Sequence, residues 1–373
     1  MSQAAIQNQK VNNSGQPWLS SARWDILLII SPAFIASLVV ILFHDLVDNY
    51  DYLPLWAWVS FVLLVDVAHV YSTLYRTYLD PEAFVKNRTL LVTAPFLCWL
   101  VGCLLYTMGS LVFWKALAYL AVFHFIRQQF GFMALYARRE VEVFKKYRWL
   151  DGLAIYMATL YPLIYWHTHL PRNFNWFIEG DFFQSVPVMV SDIALFLYAV
   201  TAFAYLIKEA YLYRKTGTFN LPRNMIIAGT ALTWFVGIVA LNSDLAFTMT
   251  NVIAHGVPYI ALIWLYHHKP KEEEEGKGAG YRVITLVRNL IVSHLPLFLL
   301  FLFLLAYIEE GIWDGFIWRE HLSFFNMFRS LPALSDPALL ALVIPLLALP
   351  QSTHYVLDGF IWRIKDRNSI WTA

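Results

Sequence analysis

The chain has 373 residues, 59% of them hydrophobic and 17% aromatic, with 14% charged and a formal net charge of +1. A soluble domain usually carries about 25% charged residues, and several stretches here run for 18 residues or more with almost none, as membrane-spanning helices do. The near-neutral balance excludes nucleic acid as a partner. Cys98 and Cys103, which share one apolar stretch, provide neither a disulfide framework nor a metal-binding spacing.

In chain order, residues 1–22 are polar and lack the apolar core of a cleavable signal, so they read as a disordered cytoplasmic tail. A single transmembrane bundle domain follows over 23–363, with ten spans expected near 25–43, 54–76, 89–109, 112–136, 149–167, 188–212, 224–242, 245–267, 284–307 and 337–362. Pro350 is expected to kink the tenth. The fold class is therefore all-α, a polytopic membrane helix bundle. Lys and Arg collect in alternate loops: Lys86 and Arg88, the cluster from Arg138 to Arg148, Arg214 to Arg223, Lys269 to Arg282, and Arg363 to Arg367. The intervening loops are nearly free of cations, which places both termini in the cytoplasm of what reads as a multi-pass protein of a bacterial inner membrane. The run "KPKEEEEGKGAG" marks a charged cytoplasmic loop over 269–283, and 308–336 reads as an outer interfacial segment rich in Trp and Phe. "DGFIWR" occurs twice, at 314–319 and 358–363, and reads as an interfacial anchor; 364–373 forms a cytoplasmic tail.

Eleven histidines are sorted by this topology. His44, His167, His169, His267, His268 and His321 fall at span ends or loops, whereas His69, His124, His255, His294 and His354 fall inside spans. Ionisable groups within a bilayer are costly, so the latter five are functional candidates. Four of them, on spans two, four, eight and ten, lie 7, 14, 14 and 9 residues before the first cytoplasmic cation. At about 1.5 Å per residue they share the middle or inner half of the membrane. Each has a polar residue three or four positions away: Asp66 before His69, Gln128 after His124, Asn251 before and Tyr259 after His255, and Asp358 after His354. Such neighbours share a helical face, and a metal-binding imidazole needs its second nitrogen held by such a group. Asp358 itself is also a candidate ligand. Arg127, one turn from His124, must pair with Asp66, Asp358 or an anionic substrate group. Imidazole and carboxylate donors suit iron, zinc or copper, and haem between paired histidines is a further option.

The order "AHVYST", "FHFIRQ", "AHGVPY" and "THYVLD" at 68–73, 123–128, 254–259 and 353–358 resembles the Brp/Blh group of bacterial membrane carotene oxygenases. The resemblance implies a non-haem iron held by His69, His124 and His255. The first motif lacks the Pro, Gly and trailing Asp of that group, Tyr259 stands where its HxxxH pair has a second histidine, and this chain is longer by about two spans.

The sequence therefore leads to the expectation of an integral membrane iron oxidoreductase acting with dioxygen on a hydrophobic lipid or isoprenoid substrate drawn from the bilayer, with an electron-donor protein as a further partner. Its metal ligands are expected among His69, His124, His255 and His354, with His294 in reserve. Asp66, Gln128 and Asn251 orient them, and Arg127, Asp358 and Tyr259 serve catalysis. The competing classes are an ion- or proton-coupled transporter and a haem-binding membrane subunit built on the same buried groups.

Overall fold

The computed structural model describes residues 15–48, 50, 53–140, 142–267 and 279–361. The main helices in chain order are α1 (Ala22–Leu42), α2 (Leu55–Arg76), α3 (Arg88–Met108), α4 (Ser110–Tyr136), α5 (Arg148–Thr168), α6 (Val188–Thr216), α7 (Leu221–Ala240), α8 (Asp244–His267), α9 (Ala279–Ser293), α10 (Leu295–Trp318), α11 (Pro337–Leu347) and α12 (Leu349–Ile361). No strand occurs among the described residues.

Eight of these helices are long and apolar enough to cross a membrane, and α11 with α12, bent by 44° between Leu347 and Leu349, makes nine. Pro350 lies in the first turn after that bend. Helix α5 has 21 residues, enough to span about 30 Å, but carries the buried Asp151 and a more polar sequence. The protein is thus a multi-pass helical membrane bundle. Its lipid-facing surface is apolar: Phe96, Leu100 and Leu104 of α3 and Phe196, Phe203 and Leu206 of α6 are exposed. With a hydrocarbon solvent, polar groups rather than apolar ones gain by turning inward. Helix α8 illustrates this, being 83% buried over its apolar window against 17% for α3.

Three expectations change. The ninth expected span is two helices, because Pro296 has no N–H to return to the carbonyl of Val292. That carbonyl instead accepts from Trp264 Nε1 at 3.2 Å, and His294 caps α10 in an extended conformation. Residues 308–318 continue α10 instead of beginning an interfacial segment, since the carboxylates of Glu309 and Asp314 turn into the bundle, 6% and 3% exposed. Of the tail expected to be disordered, the stretch ahead of α1 is held in place: Asp25 accepts the N–H groups of Leu19 and Ser20, and Arg138 donates to the carbonyls of Pro17 and Trp18 at 3.2 and 2.9 Å. Residues 1–14, most of the charged loop over 269–283, the end of the second DGFIWR copy and the tail at 364–373 lie outside the described residues.

Where α5, α6 and α7 meet, a charge network forms that the histidine search did not anticipate. Arg223, 0% exposed, donates to Glu140 at 2.6 Å, Asp151 at 3.3 Å and Glu209, and Lys208 pairs with Asp151 and Glu209. Arg223 therefore belongs to the protein interior, not to a solvated loop, and the cation bias of that loop is carried by the exposed Arg214 and Lys215.

Candidate metal centre

Helices α2, α4, α8 and α12 each direct one imidazole to a common point. His69, His124, His255 and His354 are 1%, 2%, 0% and 2% exposed. Their Nε2 atoms form a chain of short separations: His69 to His255 at 3.1 Å, His255 to His124 at 3.2 Å and His124 to His354 at 3.1 Å. One nitrogen of each lies within 4.8 Å of the others. A close helix approach makes this geometry available. A Cβ on Gly256, beside His255, would lie 2.7 Å from Val65 Cγ1 and 3.1 Å from the Val65 carbonyl oxygen. Because one of those atoms is backbone, Gly256→Ala is expected to push α8 off α2, costing about 1–3 kcal/mol as overpacking does and lowering metal content. Melting temperature and metal per chain measure it, and no change in either would show that α2 yields freely.

The ring geometry tests whether a metal fits. With a metal–nitrogen bond of about 2.1 Å, a ring centre sits roughly 3.2 Å from the ion. Four rings in a square then have neighbours about 4.5 Å apart and diagonals about 6.4 Å, whereas a tetrahedron puts all pairs at about 5.2 Å. Around the ring His69–His255–His124–His354, neighbouring centroids are 4.7, 4.9, 4.5 and 4.9 Å apart, and the His69–His124 diagonal is 6.4 Å. Neighbouring rings are inclined by 66–89°, and the diagonal pair by 18°. These five distances lie nearer to those of a square than to those of a tetrahedron.

The Nδ1 atoms explain why these nitrogens face one another. His124 Nδ1 lies 3.5 Å from Asp358 Oδ2 and His69 Nδ1 lies 3.7 Å from Asp66 Oδ1. An ionised carboxylate only accepts, so His124 Nδ1 carries the proton and its Nε2 presents a lone pair, whereas the Nδ1 atoms of His69 and His255 are buried without a hydrogen-bond partner. His354 Nδ1 meets Thr73 Oγ1 at 2.6 Å, Thr73 Oγ1 meets the Tyr259 hydroxyl at 3.1 Å, and Tyr259 donates to Asp358 Oδ1 at 2.6 Å. Read in one direction, these bonds give every donor an acceptor and end on Asp358. Imidazole nitrogens 3.1–3.2 Å apart share a proton or, where both are bare, repel until a cation lies between them. The buried four-histidine group can thus hold a metal ion.

Other expected residues have different roles. Tyr259 and Asp358 join the hydrogen-bonded chain, and Asp66 stands beside His69. Gln128 does not orient His124; its Nε2 donates to the backbone carbonyl of His255 at 2.8 Å, fixing α8 against α4. Asn251 does not reach a histidine ring either. It bonds Thr250 Oγ1 at 3.1 Å and packs where Gly237 lacks a side chain. His294 is excluded as a ligand, because it is exposed at the α9–α10 break and bonds the Leu290 carbonyl. Arg127 also turns away from the site. It is exposed on the surface of α4, donates to the Tyr156 hydroxyl at 2.5 Å and lies over the Phe130 ring. Thr73 was missed, although it lies one turn beyond His69, as was Phe125, whose ring stacks on His255 with centroids 3.5 Å apart.

Because the Tyr259–Asp358 pair supports two of the four rings, Asp358→Asn is expected to preserve folding, since an amide fills the same space, and to weaken metal binding about 10- to 100-fold. Competition against a chelator at fixed pH measures it, and wild-type affinity would remove Asp358 from the site.

Beside the histidines lies a cavity of about 1060 Å³. Phe125, Tyr355 and Asp66 line it and also touch His255, His124 and His69, with Tyr355 centred 5.0 Å from the His124 ring. Its other walls come from the start of α2 and α8, the end of α10 and the loop Pro171–Gln184, all at the bundle end opposite the cation-rich loops. In that loop burial pushes the Asp181 carboxyl above its usual range, opposed by the N–H groups of Phe177 and Ile178.

No protein-family model matches the chain, and no similar curated protein or solved structure was found by comparison.

Proposed function

We propose that the protein is an integral membrane oxidoreductase in which His69, His124, His255 and His354 hold a single non-haem iron that uses dioxygen. The observation that carries this reading is the convergence of four buried imidazole nitrogens beside a large cavity. All-imidazole donors suit iron, copper, nickel and zinc. Zinc prefers a tetrahedron, and the ring spacings lie nearer to those of a square. The likeness to the Brp/Blh motifs favours iron among the rest. Bound there, iron would supply dioxygen activation and electron transfer.

The chain's own residues have separable tasks. Asp358, through Tyr259 and Thr73, holds two imidazoles in the tautomer that presents Nε2. Asp66 stands 3.7 Å from His69 Nδ1, and the two carboxylates would offset the charge of a divalent ion. Phe125 and Tyr355 wall the histidines from the cavity with carbon and one hydroxyl, limiting the water that reaches them. The substrate is a molecule with a large apolar body that reaches this wall. On the cation distribution of the sequence, both termini would lie in the cytoplasm and the cavity mouth outside. Reporter fusions after residues 145 and 373 should read cytoplasm, and one near residue 175 the outside; agreement of all three would overturn the orientation.

The function is tested on protein purified in lipid nanodiscs, by metal analysis, an optical spectrum and oxygen uptake with a reductant. About one iron per chain, no Soret band, and nitric oxide binding at the iron as a dioxygen surrogate are expected. A Soret band would assign a haem subunit. Failure to retain any transition metal after loading with iron, copper or zinc would assign the histidines to an ion or proton pathway.

A further inference from the structure

The cavity wall has a chemistry of its own. Among the described residues seven carboxylates line it, Asp66, Glu310 and Asp314 among them, against one guanidinium, that of Arg172. Arg172 is already engaged, donating to the carbonyls of Ile238 and Leu241 at 2.7 and 2.6 Å. Asp314 is 3% exposed, and its Oδ1 accepts the N–H groups of Glu320 and His321, both at 2.8 Å. Its Oδ2 is buried without a hydrogen-bond partner. A buried carboxylate oxygen left bare is costly, so this oxygen, on a residue that lines the cavity, points to a missing donor or cation. Glu310 lines the same wall as Asp314 and Asp66.

Aromatic faces flank these acids. Trp114, Trp313 and Trp318 line the cavity with ring centroids 5.7–6.1 Å apart, Trp313 and Trp318 being stacked at 18°. Indole faces attract a cation, most strongly where water is excluded. The acids do not converge as metal ligands do: among the described residues the four histidines are the group with metal-ligand spacing. Diffuse carboxylates with indole faces match a bulky organic cation better than a small inorganic one.

We infer that the cavity binds the substrate of the four-histidine centre by a positively charged nitrogen, an ammonium group seated against Asp314, Glu310 and the three indoles. The rest of the molecule extends to Phe125 and Tyr355, the side chains that pack on His255 and His124. Access is from the bundle end that carries the cavity mouth, and not through Arg127 on the lipid face. This rests on the reading of the histidine centre as catalytic, but the binding itself does not require turnover.

The test is calorimetric titration of the metal-loaded protein in nanodiscs with choline and with its uncharged isostere 3,3-dimethylbutan-1-ol. Choline is expected to bind roughly ten-fold or more tightly than the alcohol. Asp314→Asn, which keeps the Oδ1 acceptor, and Glu310→Gln should each remove most of that preference, while leaving metal content and the affinity for the alcohol unchanged. Two variants at separate sites guard against one failing to fold, and melting temperatures identify which are native. Equal affinity for the two probes would overturn the inference, as would insensitivity to both variants or complete displacement of choline by millimolar Mg²⁺. His255→Ala separates the two readings, because it should lose metal yet still bind choline. Choline binding in a protein that never consumes oxygen would leave the cation site standing and sink the catalytic reading. Oxygen consumption without cation preference would do the reverse.

Discussion

Replacing any one of His69, His124, His255 or His354 by Ala should abolish retention of the metal through purification, whereas His44→Ala and His294→Ala should retain wild-type content. The four side chains are equivalent in burial and supply one nitrogen each to a single point. His44 and His294 are exposed and bond neighbouring backbone carbonyls. Removing a group that only supports a ligand costs about 10- to 100-fold in affinity, so losing a ligand should exceed that. The four substitutions also leave cavities at positions 0–2% exposed, so each should lower melting of the metal-free protein somewhat. Metal per chain and apo-protein melting together decide the matter. Loss of metal from only two of the four variants would mean that the remaining pair packs without ligating. Equal retention by cluster and control variants would sink the site altogether.

Arg223→Met should be the most damaging single change outside that centre, at about 3–5 kcal/mol of stability, the usual effect of removing one partner from a buried ionic set. Arg223 is fully buried and bonded to Glu140, Asp151 and Glu209. Without it Asp151 and Glu209 are left with Lys208, and Glu140 with the partly exposed Arg148 at 3.9 Å. Pairing Arg223→Met with Glu209→Gln should recover part of the loss, because one stranded charge goes with its partner. Denaturation in detergent of the two single variants and the double variant gives the coupling as a double-mutant cycle. A single-variant effect below about 1 kcal/mol, the range of exposed ion pairs, would mean that water reaches this network. Metal content should be unaffected by either change, which separates this network from the histidine centre.

The helical membrane class was legible from composition, because runs of apolar residues with few charges have no other stable arrangement in which every backbone group is satisfied. The candidate histidines were legible for a related reason. An imidazole inside an apolar span is conspicuous, and His69, His124, His255 and His354 share a depth that counting along the helices can recover. The support of His354 by Thr73 was open to the same counting, since Thr73 is one turn from His69, but a hydroxyl in a helix so often bonds its own backbone that it drew no notice.

What counting could not supply is rotation. Depth along a helix follows from residue number, but the face a residue presents is set by how neighbouring helices pack. Arg127, one turn from His124, therefore faces outward to Tyr156, and Gln128 reaches a backbone carbonyl instead of a ring. His294 looked buried by number alone. It was removed from the interior by a helix break at Pro296 that Trp264 makes tolerable, a contact 28 residues away in sequence. The cavity and its acidic, indole-lined wall were also decided only in three dimensions, since its lining is gathered from α2, α4, α8, α10, α12 and a loop. Composition and periodicity are properties of single segments, and they determined the helices and the histidine depth. The convergence of four nitrogens exists only where four helices pack against one another, with Gly256 admitting the Val65 backbone to close contact.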